Sequence, residues 1–204
     1  MQVVFSHGKE SGPWGGKISA LAEVARRHGL EAASLDYQGM DDPHARVAKL
    51  CAHLDELEGP AILVGSSMGG HVAASAASTH TVAAAFLMAP AFYMPGYEAL
   101  TPKPLSCPVT IVHGWRDEIV PVDNVLRFAR EGDCTLHRVP RKSVPSAYPN
   151  QFLYDDQDFM AFVKRVDSEF VYLRCDSRDN LMHKRFWGLA PRNLEQAMAM
   201  SLLD

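Results

Sequence analysis

The chain has 204 residues, a formal net charge of -4 and 22% charged residues. That length suits one domain with a sizeable core, and the balanced charge leaves no basic stripe of the kind that binds nucleic acid. No apolar run approaches the roughly 18 residues needed to span a bilayer, so no membrane partner is expected.

A strand is read at residues 3–6, so close to the first residue that no signal peptide fits ahead of it. The expected address is therefore cytoplasmic. The strand runs into His7-Gly8 and a polar, glycine-rich loop over residues 9–16. Ile18, Leu21, Ala22, Val24 and Ala25 then recur at helical spacing across residues 17–28, and Gly29 closes that helix. A second strand follows at 31–35, and Asp36-Tyr37-Gln38-Gly39 turns away from it. Residues 43–57 form another helix, with Val47, Leu50, Cys51 and Leu54 on one face.

The next stretch organises the chain. Residues 62–64 are a short, β-branched, buried strand, and they run into Gly65-Ser66-Ser67-Met68-Gly69. This is the G-x-S-x-G pattern of a nucleophile elbow, in which a serine sits on a strained turn between strand and helix. The flanking glycines let neighbouring backbone approach without side chains. Ser67 is then the nucleophile candidate, and the Met68 N–H points at the oxyanion formed on attack at a carbonyl. Ala73, Ala74, Ala76 and Ala77 make the following helix, residues 69–78, slim enough to lie close on a sheet.

Residues 82–88, 108–113 and 134–139 are read as further strands. A Pro- and aromatic-rich connection covers 89–106, and a helix with a proline in its first turn covers 121–130. Strands alternating with helices imply an α/β fold with a doubly wound, mainly parallel six-stranded sheet. In such sheets the chemistry gathers beyond the carboxyl ends of the strands. His7, Ser67 and Asp117 all lie just past such ends.

Composition changes after about residue 140: of fourteen glycines only Gly188 lies beyond it, yet half the aromatic residues do. Phe152, Phe159, Phe162, Val163 and Val166 give residues 152–170 the stripe of a covering helix, and helix is expected again from Pro191. The chain is taken as a single domain, 1–204, with a divergent helical tail from about 141. Met198, Met200, Leu202 and Leu203 make the end of that tail a candidate for self-association into a homo-oligomer. Cys51, Cys107, Cys134 and Cys175 are scattered as reduced thiols, and no paired ligand spacing suggests a metal site.

Three motifs in order carry a resemblance. They are Phe5-Ser6-His7-Gly8-Lys9-Glu10-Ser11, Gly65-Ser66-Ser67-Met68-Gly69-Gly70, and His113-Gly114-Trp115-Arg116-Asp117-Glu118-Ile119-Val120-Pro121. Over roughly residues 2–140 the chain resembles the α/β-hydrolase superfamily, in particular the small, nearly capless bacterial hydrolases similar to esterases and thioesterases. The resemblance implies an α/β-hydrolase core lacking the first strands. It makes Ser67 the nucleophile and Asp117 the residue that orients an imidazole, with the N–H groups of Met68 and Lys9 as the oxyanion hole. No cofactor is implied. Asp117 has a plainer reading as the cap of the helix opened by Val120-Pro121. His7 reads as a structural member of its turn, and His71 as a helix residue packed near the elbow.

One element of the pattern is missing. Relatives carry the catalytic histidine in the loop after the last strand, which here reads Pro140-Arg141-Lys142-Ser143-Val144-Pro145-Ser146. Ser143 stands about where the imidazole is expected. The histidines after Asp117 are His137, inside a strand, and His183, in the tail, and both are candidates for the base. Two functions follow. One is a serine hydrolase on a small ester or thioester, with Phe92, Tyr93, Met94 and Tyr97 lining a shallow acyl pocket. The other is a non-catalytic relative that keeps the fold and binds a ligand or partner.

Overall fold

The computed structural model describes residues 1–103, 105–114 and 117–132, together with the strand backbones of Thr135–Val139 and Phe170–Cys175. The strands are β1 (Gln2–Ser6), β2 (Glu31–Leu35), β3 (Ile62–Ser66), β4 (Ala84–Met88), β5 (Val109–Gly114), β6 (Thr135–Val139) and β7 (Phe170–Cys175). The helices are α1 (Gly16–Arg27), α2 (Pro43–Asp55), α3 (Met68–Ala77) and α4 (Val122–Glu131). Asp42 starts α2 by accepting from the His44 N–H at 3.0 Å, with Pro43 in the first turn, where its missing N–H costs nothing. After α1, Gly29 takes a φ of +74°, a left-handed value that a side chain would resist.

All strands belong to one sheet in the order β2-β1-β3-β4-β5-β7-β6. Strands β1 to β5 are mutually parallel, as the alternation of elements required. The expected sixth strand is present, but it does not sit beside β5. A seventh strand, β7, lies between them and runs antiparallel to both. The sequence reading carries the covering helix to residue 170 and assigns no element to residues 171–175, because a six-residue, largely apolar segment directly after a helical stripe has no boundary signal of its own. Residues 152–169 and the tail from 176 lie outside the described residues.

Strand alternation separates the core into two layers. Val4, Leu63, Leu87 and Ile111 face one side of the sheet with α2, α3 and α4, where Leu50, Val72, Ala73, Val125 and Phe128 close over them. Val3, Phe5, Ile62, Val64, Phe86, Met88 and Val112 face the other side with Ile18, Leu21, Ala22 and Ala25 of α1. Central strands buried on both faces explain why β1, β3, β4 and β5 read as continuous apolar runs. The winding leaves the carboxyl ends of the parallel strands at one edge, and there the candidate site forms. No described helix is long and apolar enough to cross a membrane.

Candidate active site

Ser67 sits between the end of β3 and the first residue of α3 with φ 53° and ψ -119°. That conformation is costly for a residue with a side chain, so its surroundings must hold it in place. Its N–H donates to Met88 O at 2.9 Å, and its carbonyl accepts from Gly70 N, His71 N and Ala91 N at 2.9, 3.2 and 3.0 Å. Three glycines permit the turn. A methyl at Gly65 would overlap the Gly69 backbone, one at Gly69 would overlap the Ser6 and His7 backbone, and one at Gly70 would press on Pro90. The elbow thus packs backbone on backbone.

The two adjacent serines separate cleanly. Ser66 is the last residue of β3, is buried, and its hydroxyl accepts from Lys17 Nζ of α1 at 3.2 Å. Ser67 is half-exposed at the tip of the turn. The next residue, Met68, opens α3, and among the described residues its N–H has no acceptor.

The loop after β1 lies directly over this tip. A methyl built on Gly8 would stand 3.6 Å from Ser67 Cβ and 3.5 Å from Ser66 O. His7 is fully buried and works for that loop. Its Nε2 accepts from the Tyr37 N–H at 2.8 Å, which fixes the proton on Nδ1, and Nδ1 donates to Gly8 O at 2.7 Å. Burial lowers its pKa, with the Gly8 bond opposing that shift. His7 is therefore a neutral structural imidazole, as its place in the His-Gly turn suggested. Lys9 sends its half-exposed side chain outward to Asp41, 3.5 Å away. Among the described residues its N–H, like that of Met68, has no acceptor.

Sequence reasoning passed over Arg46. It lies on α2, only 1% exposed, with a guanidinium that reaches backbone carbonyls alone. Nε donates to Met40 O at 2.6 Å, Nη1 to His7 O and Gly8 O at 3.3 Å each, and Nη2 to Tyr37 O at 3.3 Å. Its signal was available. Positions 46, 50 and 54 share one helical face, and an arginine among leucines there needs an internal partner.

Asp117 lies past β5, its side chain almost wholly buried. Oδ1 accepts from the N–H groups of Ile119 and Val120 at 3.0 and 2.9 Å, while Oδ2 stands 3.8 Å from His113 Nε2. Because α4 opens only at Val122, Asp117 organises its own turn and does not cap that helix. His113 is buried and directs Nε2 at Val120 O, 2.8 Å away, and burial lowers its pKa. In register, Ser66 pairs with Met88 on β4, and Met88 pairs with Val112 on β5. The strand ends carrying Ser67 and Asp117 are thus two spacings apart, about 10 Å, a gap that an imidazole can bridge.

No described imidazole is hydrogen-bonded to Ser67 Oγ. His71 is buried in α3, its Nε2 3.5 Å from Ser75 Oγ, and burial together with the nearby His44 takes its pKa down to about 4. His137 occupies the middle of β6, opposite Tyr172, at the outer edge of the sheet. Four strand spacings, roughly 19 Å, separate β6 from β3, so the backbone placement takes His137 away from the role of base. His183 and Ser143 lie outside the described residues.

The expected pocket residues also part company. Phe92 is fully buried and stacks on Phe128 with centroids 4.4 Å apart, which makes it core and not pocket wall. Tyr93, with φ 48°, sends its hydroxyl to Glu131 of α4 at 2.8 Å and lies under Arg127. Met94 is half-exposed and Tyr97 exposed. Among the described residues no group of three histidine, cysteine or carboxylate side chains stands close enough to share a metal ion. Cys51 and Cys107 are free thiols.

With an elbow serine, a His-Gly loop over it and a buried aspartate past β5 in place, comparison with known proteins becomes decisive. The sequence model of the Alpha/beta hydrolase family matches residues 3–201. The chain belongs to this family. A protein of Xanthomonas campestris pv. campestris assigned to the alpha/beta hydrolase superfamily is 33% identical over 63% of this chain and 80% of its own, with a TM-score of 0.58. Mouse alpha/beta hydrolase domain-containing protein 10 shares the fold at 24% identity, 64% and 75% coverage and a TM-score of 0.56. So does an alpha-beta serine hydrolase homologue from Coxiella burnetii, at 24% identity, 64% and 68% coverage and a TM-score of 0.54. Among curated proteins none matches the chain.

Proposed function

We propose that this alpha/beta hydrolase cleaves small carboxylic esters or thioesters through Ser67. The observation that carries the reading is the strained backbone of Ser67, held at φ 53° between β3 and α3. Strain of this kind is maintained only where the surroundings over-determine it, and it brings the hydroxyl to the tip of the turn. In the reaction Ser67 Oγ bonds to the substrate carbonyl carbon and gives up its proton to a base. The C=O π pair moves onto oxygen and is held by the Met68 and Lys9 N–H groups. Collapse expels the alcohol or thiol, which takes the proton, and water then releases the acid from the acyl-serine. Asp117 orients the imidazole. Of the two sequence candidates for the base, His183 remains a candidate, since the backbone of His137 stands at the far edge of the sheet. Met94 and Tyr97 remain candidates for the acyl-binding wall. The cytoplasm is the proposed location, in keeping with the balanced charge of the chain.

Labelling with a fluorophosphonate and mapping the adduct by mass spectrometry tests the proposal. Modification at Ser67, lost in Ser67→Ala and retained in Ser66→Ala, is the expected result. Labelling at Ser66, or none in folded protein, overturns it. One observation favours a second reading: no described histidine reaches Ser67 Oγ. A chain inert to the probe would be a non-catalytic relative that binds a ligand or partner, since an unactivated serine is a poor nucleophile.

A further inference from the structure

Arg46 is a fully buried cation that meets no carboxylate in its hydrogen bonds. Its donors converge on the carbonyls of His7 and Gly8, beyond β1, and of Tyr37 and Met40, beyond β2. The ring of Tyr37, itself buried, stands 5.3 Å from the guanidinium and 5.2 Å from the His7 ring. Its hydroxyl is 3.0 Å from Ser6 Oγ. Burial lowers its pKa, and Asp41 and Glu10 act against that only from a distance. Burying a charge with no carboxylate in its hydrogen bonds is expensive, and an apolar residue would fill the same place on α2 more cheaply. The cost needs a purpose.

Peptide geometry supplies one. The Gly8 C=O and the Lys9 N–H belong to one planar trans unit, so they point in opposite directions. His7 Nδ1 and Arg46 Nη1 both donate to Gly8 O, at 2.7 and 3.3 Å, from the interior. Fixing that oxygen inward fixes the Lys9 N–H outward, on a loop so near the turn that a methyl on Gly8 would meet Ser67 Cβ at 3.6 Å. A positive charge behind the carbonyl also polarises the peptide and makes its N–H a stronger donor. A guanidinium stays protonated even when buried, so the effect is constant across working pH.

We propose that Arg46, acting with His7, is a positioning residue of the oxyanion hole, holding and polarising the Gly8–Lys9 peptide so that the Lys9 N–H faces the developing oxyanion. This rests on the serine-hydrolase reading. The arrangement stabilises the transition state more than the bound ester, because only the oxyanion carries full charge.

The test compares the parent with Arg46→Lys, which keeps the charge, and Arg46→Gln, which keeps some hydrogen bonding without it. Turnover of p-nitrophenyl acetate is measured with affinity for phenyl trifluoromethyl ketone, which adds Ser67 to its carbonyl and leaves an oxyanion. Removing an oxyanion donor outright costs roughly 10²–10³ in kcat. Acting through the peptide, Arg46→Lys should lose about tenfold and Arg46→Gln about a hundredfold, with KM within about twofold. The ketone should weaken by the same factors. A rise in KM at unchanged kcat, or a fall in kcat with ketone affinity intact, overturns the proposal. If neither variant folds, the parent decides: the Lys9 amide proton should move downfield when the ketone adduct forms, and an unmoved resonance overturns the assignment. A parent that labels at Ser67 but shows none of these effects refutes Arg46 alone. A parent inert to fluorophosphonate and ketone refutes the hydrolase reading, and the Arg46 role falls with it.

Discussion

On the Ser67 side, from β1 to α3, the candidate groups are placed by backbone: Gly65, Gly69 and Gly70 abut other main-chain atoms, and Ser67 is tied by its own N–H and C=O. On the acid side, beyond β5, placement depends on side chains, with Asp117 Oδ1 gathering two N–H groups and Oδ2 facing His113. The difference teaches why one half follows the family pattern closely and the other departs from it. Backbone packing at a glycine has no substitute, since any side chain collides. A side-chain relay can lose or relocate one member and leave the fold intact. The departure in this chain, a serine at position 143, falls on the side that tolerates it.

The largest expected effect comes from breaking the acid side. Asp117→Asn keeps an oxygen for the Ile119 and Val120 N–H groups, so thermal stability should change little. If Asp117 orients an imidazole, ester turnover should nevertheless fall about 10³-fold, roughly 4 kcal/mol of barrier. Unchanged turnover would make Asp117 a turn-former only.

The Ser67 side is tested by Gly69→Ala, whose methyl would overlap the Ser6 and His7 backbone. Separating α3 from β1 should cost at least about 3 kcal/mol of stability, read from urea unfolding. Wild-type stability in this variant would show that the elbow has slack and that the contrast between the two sides is false.

A third prediction uses pH. Burial depresses the pKa of His7, His71 and His113, and that of His71 to about 4. Above about pH 6.5 these groups are neutral in both folded and unfolded chains, so they add no pH dependence there. Below it the unfolded chain takes up protons that the folded one refuses, and stability falls with pH until the folded groups also titrate. His71 alone should account for about 3 kcal/mol between pH 6.5 and 4. His71→Asn should remove that share of the slope, and an unchanged slope would place the titration elsewhere.

The smallest effect sharpens the comparison by repair. Val139 is in register with Phe170, and Phe170 with Gly114. The loop after β6 therefore starts level with the end of β5, two strand spacings or about 10 Å aside. Four residues of extended chain span about 13 Å, more than that gap. Ser143→His should raise hydrolysis of a small activated ester at least about tenfold, with an ionisation near 6.5. If it adds nothing while His183→Ala abolishes activity, the base resides in the tail.

The parallel core and the strand–turn–helix around Ser67 were legible before any coordinates. Their signals are local: a β-branched run, glycines around one serine, and apolar residues recurring at helical spacing. The third motif placed Asp117 past β5 but not its bonds: it gathers the Ile119 and Val120 N–H groups into its own turn and does not cap α4. Strand β7 escaped since no boundary signal separates it from the helical stripe before it, and neighbouring strand partners decide between the two periods. The place of Phe92 was hidden for a related reason. An aromatic after a strand reads alike as pocket wall and as core, and it was the approach of α4 that committed Phe92 to packing on Phe128.

By itself, the sequence determined the parallel α/β core and the strained turn at Ser67, because sterics act between adjacent residues. Only the tertiary structure decided that Ser66 turns to Lys17 and that His137 stands at the far edge of the sheet. It alone showed that Arg46 joins the loops after β1 and β2. Those loops lie far apart in the chain, and a guanidinium on a helix says nothing of which carbonyls will surround it until the sheet has brought them together.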